Sequence, residues 1–157
     1  MLYEAGAEDV PADETGWTLA TSPAAAHLMS LLRAAAPQAT LDEWLALLKS
    51  ETCRQLRAHL DDQALPVLEA LCRKHGWRTP QSVRFDELSE ASLSLWRLAR
   101  SAVRQFTEGP SERSLQAWLD GLKQLLQRLQ AEEPLIALDA GQPLLDALWL
   151  QRQLNDP

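Results

Sequence analysis

The sequence predicts an all-α protein, a single-domain bundle of about five to six mostly antiparallel helices. The composition is the first reason: Leu, Ala, Gln, Glu and Arg favour helices and dominate a chain that has one Tyr and two Phe. The second reason is that Leu and Trp recur at helical spacing, which places them on one face of each helix. A chain of 157 residues can bury one sizeable core without metals or disulfides.

Residues 1–22 are predicted to form an acidic, flexible tail, and residues 23–157 the helical bundle domain. The tail carries five acidic residues and no basic one, and it has too few apolar side chains to offset the entropy of ordering it. Trp17 and Leu19 are its expected anchors. The amino terminus does not resemble a secretory signal and no stretch is apolar enough to cross a membrane, so we expect a cytoplasmic protein with reduced cysteines.

Three helices are predicted in the first half of the chain. The first, residues 22–36, has a serine cap followed by proline in its first turn. The second, residues 40–60, opens with a Thr-Leu-Asp-Glu capping box and continues for about five turns. The third, residues 63–75, ends at Gly76, which readily adopts the left-handed conformation of a helix C-terminus.

The central feature predicted in the second half is a long helical hairpin, residues 89–108 and 111–131. An ordered connection held by Trp77, Val83 and Phe85 precedes it, and a last helix starts at Pro143. The apolar stripes of the hairpin predict its buried faces. They are Leu88, Leu95, Leu98, Ala99, Ala102 and Phe106 on the first helix, and Leu115, Trp118, Leu119, Leu122, Leu125, Leu126 and Leu129 on the second.

The candidate partner-binding residues are Arg84, Trp96, Arg97, Arg100 and Arg104. The last three arginines are spaced to project from one side of a helix, and a guanidinium binds carboxylates and phosphates through its planar fork. Such a stripe can receive an acidic partner, a nucleic-acid backbone or the chain's own tail. An exposed Trp96 at the edge of the stripe would mark a partner surface. The alternative is an ordinary solvated helix face with a half-buried Trp.

Four residues with metal-binding side chains, Cys53, His59, Cys72 and His75, lie in two neighbouring helices. Their spacing fits a zinc site poorly, because Cys53 and His59 are about 120° apart on a helix. Buried thiols with surface histidines are the alternative that we favour. Since the chain also has no phosphate-binding loop, nucleophile elbow or His-Glu-x-x-His sequence, we expect no metal, no cofactor and no catalysis.

The function expected from the sequence is a non-catalytic protein-interaction module, a small accessory or adaptor protein of a larger bacterial assembly or pathway. It would bind a protein partner and could also form a homodimer. A nucleic-acid-associated regulator using the arginine stripe together with Arg78 is the alternative, although a net charge of −7 argues against a general nucleic-acid binder. A small metal protein or enzyme based on Cys72 and His75 is the third hypothesis.

Overall fold

The computed structural model describes residues 19–154, and all regular structure in this range is helical. The all-α prediction is therefore confirmed, whereas the number of helices in a bundle and the hairpin remain predictions. Of the predicted tail, only residues 19–22 belong to the described range, and the expected anchor Trp17 lies outside it. The α-helices within residues 19–154 are α1 (Pro23–Ala35), α2 (Leu41–Lys49), α3 (Arg54–Ala58), α4 (Ala64–His75), α5 (Glu90–Thr107), α6 (Leu115–Arg128), α7 (Glu132–Ile136) and α8 (Gly141–Leu154).

Hydroxyl side chains begin four of these helices. The Ser22 Oγ accepts a hydrogen bond from the Ala25 amide at 3.2 Å, and Ser89 and Ser114 cap α5 and α6 in the same way. At the start of α2, Thr40 and Glu43 form the predicted capping box. These caps satisfy amides that have no partner within the helix, so the helix starts follow from local sequence.

The prediction of one continuous helix over residues 40–60 was wrong. It breaks at Ser50, where α2 ends, and the turn Glu51–Cys53 leads into the short α3. The Ser50 hydroxyl donates to the Leu47 carbonyl at 2.6 Å, and the Arg57 guanidinium donates to the carbonyls of Leu48 and Ser50. Because side-chain donors satisfy these carbonyls, α2 can end here without leaving them unpaired.

The hydrophobic core lies where the longer helices meet. Helix α5 packs against α4 and α6, and α1 packs against α2 and α8. At the centre, Trp44 of α2 and Trp96 of α5 meet edge to face, with their ring centroids 5.5 Å apart. Both indoles are 1% exposed, so these two aromatic side chains form part of the innermost core.

The buried face of α5 is rotated relative to the prediction. Leu98, predicted to be buried, is 49% exposed, whereas Trp96 is 1% exposed. At about 100° per residue, Leu98 lies roughly 100° from the centre of the stripe formed by the buried residues of α5, and Trp96 only about 60°. Phe85 and Leu115, also predicted to be buried, are 45% and 50% exposed.

The helices of the described region are also too short or too polar to cross a bilayer, since none combines the length and the apolar character of a membrane span.

Candidate functional site

Three arginines of α5 line an open groove on the surface. The groove has a volume of about 390 Å³. We call it the arginine groove, and its lining residues are Phe85, Arg97, Leu98, Arg100, Ser101 and Arg104. It combines guanidinium groups with two apolar side chains that are nearly half exposed, so it offers a ligand both charge and apolar contact.

The regular geometry of α5 positions the arginines. Arg97, Arg100 and Arg104 are separated by three and four residues, which places them next to one another on one helix face. The turn that precedes α5 brings Phe85 to the same face, where the Arg97 Cζ lies 4.9 Å from the centre of the Phe85 ring. This cation–π contact holds both side chains at the edge of the groove.

Arg100 is held more firmly than its neighbours. Its Cζ lies 4.9 Å from the Trp44 ring and 5.6 Å from the Trp96 ring, so the guanidinium rests on two buried indoles. Partial burial lowers the pKa of Arg100, and the positive charge of Arg104 lowers it further. An arginine stays protonated in proteins, so a partly desolvated positive charge lies at the centre of the groove.

The structure corrects the predicted role of Trp96. As one of the most buried side chains it cannot contact a partner directly, and it serves as a support for Arg100. Arg84 is exposed but does not line the groove, and its guanidinium lies 3.5 Å from the Asp86 carboxylate. Arg97, Arg100 and Arg104 are the candidate site residues that the structure brings together.

The charges of the groove are not neutralised by the described part of the chain. No carboxylate of residues 19–154 lies within ion-pair distance of Arg97, Arg100 or Arg104. Some basic residues elsewhere in the described region do have a carboxylate partner, as in the contacts of Glu69 with Lys49 and Arg73. Three adjacent positive charges repel one another, so an anion in the groove would relieve this repulsion.

A second, smaller depression adjoins the groove and shares Arg100 and Arg104 with it. We call it the tryptophan cleft; its volume is about 220 Å³. The lining residues are Ala34, Ala35, Ala36, Trp44, Gln81, Arg100, Val103, Arg104 and Thr107. The Nε1 of Trp44 has no hydrogen-bond acceptor among the described residues, a situation that costs about 1–3 kcal/mol for a buried donor.

The cysteine and histidine set does not form a cluster. Cys53 and Cys72 are both buried and unbonded; burial raises the pKa of Cys53 to about 12, and burial together with the charge of Glu69 raises the pKa of Cys72. His75 stacks on Trp77, with ring centroids 4.5 Å apart. Within residues 19–154 no three His, Cys, Asp or Glu side chains come close enough to hold a metal ion.

Sequence reasoning missed four contributors to the two depressions. Phe85 and Leu98 were assigned to the core, and Trp44 and Gln81 were not connected with the arginines. The helical phase could have indicated Leu98, because it lies toward Arg97 once the stripe is centred on Leu95, Ala99 and Phe106. Nothing in the sequence places Trp44 under Arg100. Arg78, part of the nucleic-acid hypothesis, lines a different depression beside Glu69.

Comparison with protein-family models, with curated proteins and with solved structures found no match to this chain. The chemistry of the groove and the cleft is therefore the basis for a functional assignment. No His, Cys, Asp or Glu of the described region lines either depression, whereas Arg97, Arg100, Arg104 and Gln81 do. These groups are suited to binding an anion.

Proposed function

We propose that this protein is a non-catalytic interaction module that binds an acidic segment of a partner protein in the arginine groove. One observation carries the proposal. Arg97, Arg100 and Arg104 share a face without a carboxylate partner in residues 19–154, next to the exposed Phe85 and Leu98. Charged and apolar groups side by side favour a ligand that carries both.

A peptide segment fits these features better than a nucleic-acid backbone. Acidic and apolar side chains alternate readily in a peptide, so carboxylates can reach the arginines while apolar groups cover Phe85 and Leu98. Nucleic-acid affinity comes chiefly from many clustered basic groups, and here three arginines stand on a chain with a net charge of −7. The overall charge repels a long polyanion, whereas a short segment meets mainly the local positive field.

The proposal extends to the architecture and the setting of the protein. We infer a bundle of five to six helices around an antiparallel α5–α6 hairpin, supported by the contact between Phe106 and Trp118, whose ring centroids lie 5.6 Å apart. Arg113 also donates to the carbonyls of Phe106 and Thr107 at the end of α5. A cytoplasmic bacterial accessory protein, with homodimer formation through a separate surface, fits this proposal.

The binding test uses a short fluorescent peptide that alternates glutamate with leucine, and fluorescence anisotropy on the full chain. Arg97→Gln should weaken binding about tenfold, because it removes one charge-assisted contact. Arg128→Gln is the matched control: Arg128 is exposed on α6 and contacts Gln124, away from the groove, so its loss should leave binding unchanged.

A second peptide with glutamine in place of glutamate should bind much more weakly. Equal affinity for both peptides would overturn the proposal, and so would equal effects of the Arg97 and Arg128 variants. A labelled single-stranded DNA forms the other arm of the experiment. Salt-sensitive binding of the DNA, with no binding of the acidic peptide, would replace the proposal by that of a nucleic-acid-associated regulator.

A further inference from the structure

We propose that the acidic segment, residues 1–18, docks in the arginine groove of its own chain and competes there with the partner segment. Residues 1–18 precede the described range, and their composition is known from the sequence. The competition rests on the proposed function, because it requires a partner that binds in the same groove. Docking of the acidic segment itself does not require that partner.

The acidic segment has the chemistry that the groove requires of a ligand. It contains five carboxylates and no basic side chain, the acidic residues being Glu4, Glu8, Asp9, Asp13 and Glu14. Apolar side chains lie among them, such as Val10 next to Asp9. The groove offers three guanidinium groups beside Phe85 and Leu98, which are 45% and 49% exposed. Segment and groove are therefore complementary both in charge and in apolar contact.

The chain is fixed at the point where the acidic segment joins the described residues. The Ser22 hydroxyl donates a hydrogen bond to the Leu19 carbonyl at 2.9 Å, and Ser22 is fully buried at the start of α1. At the other end of α1, residues 34–36 line the tryptophan cleft together with Arg100 and Arg104. The segment must therefore cover about the length of α1 to reach these two arginines.

The acidic segment is long enough for this path. Helix α1 has 13 residues, which at ~1.5 Å per residue gives a length of about 20 Å. An extended chain spans at most ~3.3–3.6 Å per residue, so Asp13 can lie about 20 Å from Leu19 and Asp9 about 33 Å. Because a path over the surface is longer than the helix axis, Glu8 and Asp9 are the carboxylates best placed to reach the arginines.

Several other basic side chains of the described region are less available to the acidic segment. Those with a carboxylate partner within ion-pair distance include Lys49, Arg73, Arg84 and Arg152. Arg113 donates to main-chain carbonyls at the end of α5. The three arginines of the groove have no carboxylate partner among residues 19–154, so the segment gains their attraction without displacing another acid.

Docking within one chain should be partial, so that a partner can displace the acidic segment. Exposed ion pairs are individually weak, but a linked segment is present at an effective concentration on the order of millimolar. A millimolar affinity then fills the groove about half to two-thirds of the time. Because only the free groove binds a partner, the apparent affinity for that partner falls about two- to threefold.

A nitroxide on the acidic segment tests docking directly. It is attached to the full chain through Ala12→Cys, and its unpaired electron broadens the amide NMR signals of residues that it approaches. Cys53 and Cys72 are buried, and burial raises the pKa of both thiols, so the introduced cysteine reacts in preference to them. We expect broadening at Leu98 and Ser101 of the groove.

Two full-length variants separate the acidic segment from the overall charge. The neutral-segment variant carries Glu8→Gln, Asp9→Asn, Asp13→Asn and Glu14→Gln. The control variant neutralises four exposed acids that do not line the groove, through Asp62→Asn, Glu112→Gln, Glu133→Gln and Asp139→Asn. Each variant loses four negative charges, which changes the net charge from −7 to −3. The neutral-segment variant should lose the broadening and bind the glutamate–leucine peptide about two- to threefold more tightly than the control variant.

The possible outcomes distinguish docking, competition and the proposed function. Peptide binding without broadening at the groove would overturn docking and leave the proposed function standing. Broadening of an isotope-labelled chain by the nitroxide of a second chain, at equal strength, would overturn docking within one chain and assign the segment to another copy. Equal peptide affinities of the neutral-segment and control variants would overturn the competition. Broadening at the groove, with no peptide binding even by the neutral-segment variant, would support docking and remove the proposed function.

Discussion

Helices α4 and α5 each present basic residues at the surface, but they handle these charges in opposite ways. On α4, Glu69 accepts hydrogen bonds from Lys49 of α2 and from Arg73 one turn away, the latter at 3.0 Å. On α5, Arg97, Arg100 and Arg104 have no such carboxylate within residues 19–154 and rest on aromatic rings or face solvent. The same residue type thus supports local structure on one helix and remains available to a ligand on the other.

The difference extends beneath the two surfaces. The ion pairs around Glu69 lie at the surface, where such pairs contribute about 0–1 kcal/mol. Arg100 instead lies over Trp44 and Trp96, which are part of the core. The arginine surface of α5 therefore depends on core packing, and the charged surface of α4 does not.

The largest expected effect comes from Trp96→Ala. Removing this buried indole should lower the free energy of unfolding by about 3–5 kcal/mol, because it leaves a cavity beside Trp44 and removes one support of Arg100. Denaturant unfolding measures the change. Arg97→Gln is the control, since an exposed side chain contributes little to stability. A small effect of Trp96→Ala would contradict the conclusion that the core supports the arginine surface.

An intermediate effect is expected when the pairing seen on α4 is built into α5. Ser101→Glu places a carboxylate in the arginine groove, four residues after Arg97 and three before Arg104. It should weaken binding of the glutamate–leucine peptide about tenfold by neutralising the groove, with little change in stability. Ser101→Gln is the neutral control. Equal peptide affinity of the two variants would show that charge does not control the groove.

The smallest effect is expected from Glu69→Gln. The hydrogen bond from Lys49 is the main reason that the pKa of Glu69 lies below its ordinary value, and the charges of Lys49 and Arg73 lower it further while slight burial opposes them. Because the folded pKa is lower than the unfolded value of 4.5, the stabilisation is complete above that pH and is lost as the pH falls through the folded pKa.

Wild type should therefore exceed Glu69→Gln in unfolding free energy by less than about 1 kcal/mol near neutral pH, because these groups are at the surface. The gap should close in acid. Denaturant titrations at several pH values measure it. A gap that widened as the pH fell would reverse the sign expected from the lowered pKa of Glu69.

Local features of the structure could be predicted because they depend on neighbours in the chain. The Thr40–Glu43 capping box, the serine caps and the left-handed Gly76 at the end of α4 are examples. The break at Ser50 could not, since it depends on the Arg57 side chain reaching back to two carbonyls. A periodic apolar pattern alone continues the helix through this point.

The candidate site was predictable only in part for the same reason. The spacing of Arg97, Arg100 and Arg104 places them on one helix face whatever surrounds that helix. Which side of α5 becomes buried depends on the helices packed against it, and this decides that Trp96 lies inside and Leu98 outside.

The helical class, the caps and the shared face of the three arginines were thus determined by the amino-acid sequence itself, because hydrogen bonding and side-chain spacing act over a few residues. Tertiary packing decided the rest. It placed Trp44 of α2 under Arg100 of α5, on the wall of the tryptophan cleft. Such long-range contacts depend on how whole helix faces fit together, which no short stretch of sequence encodes.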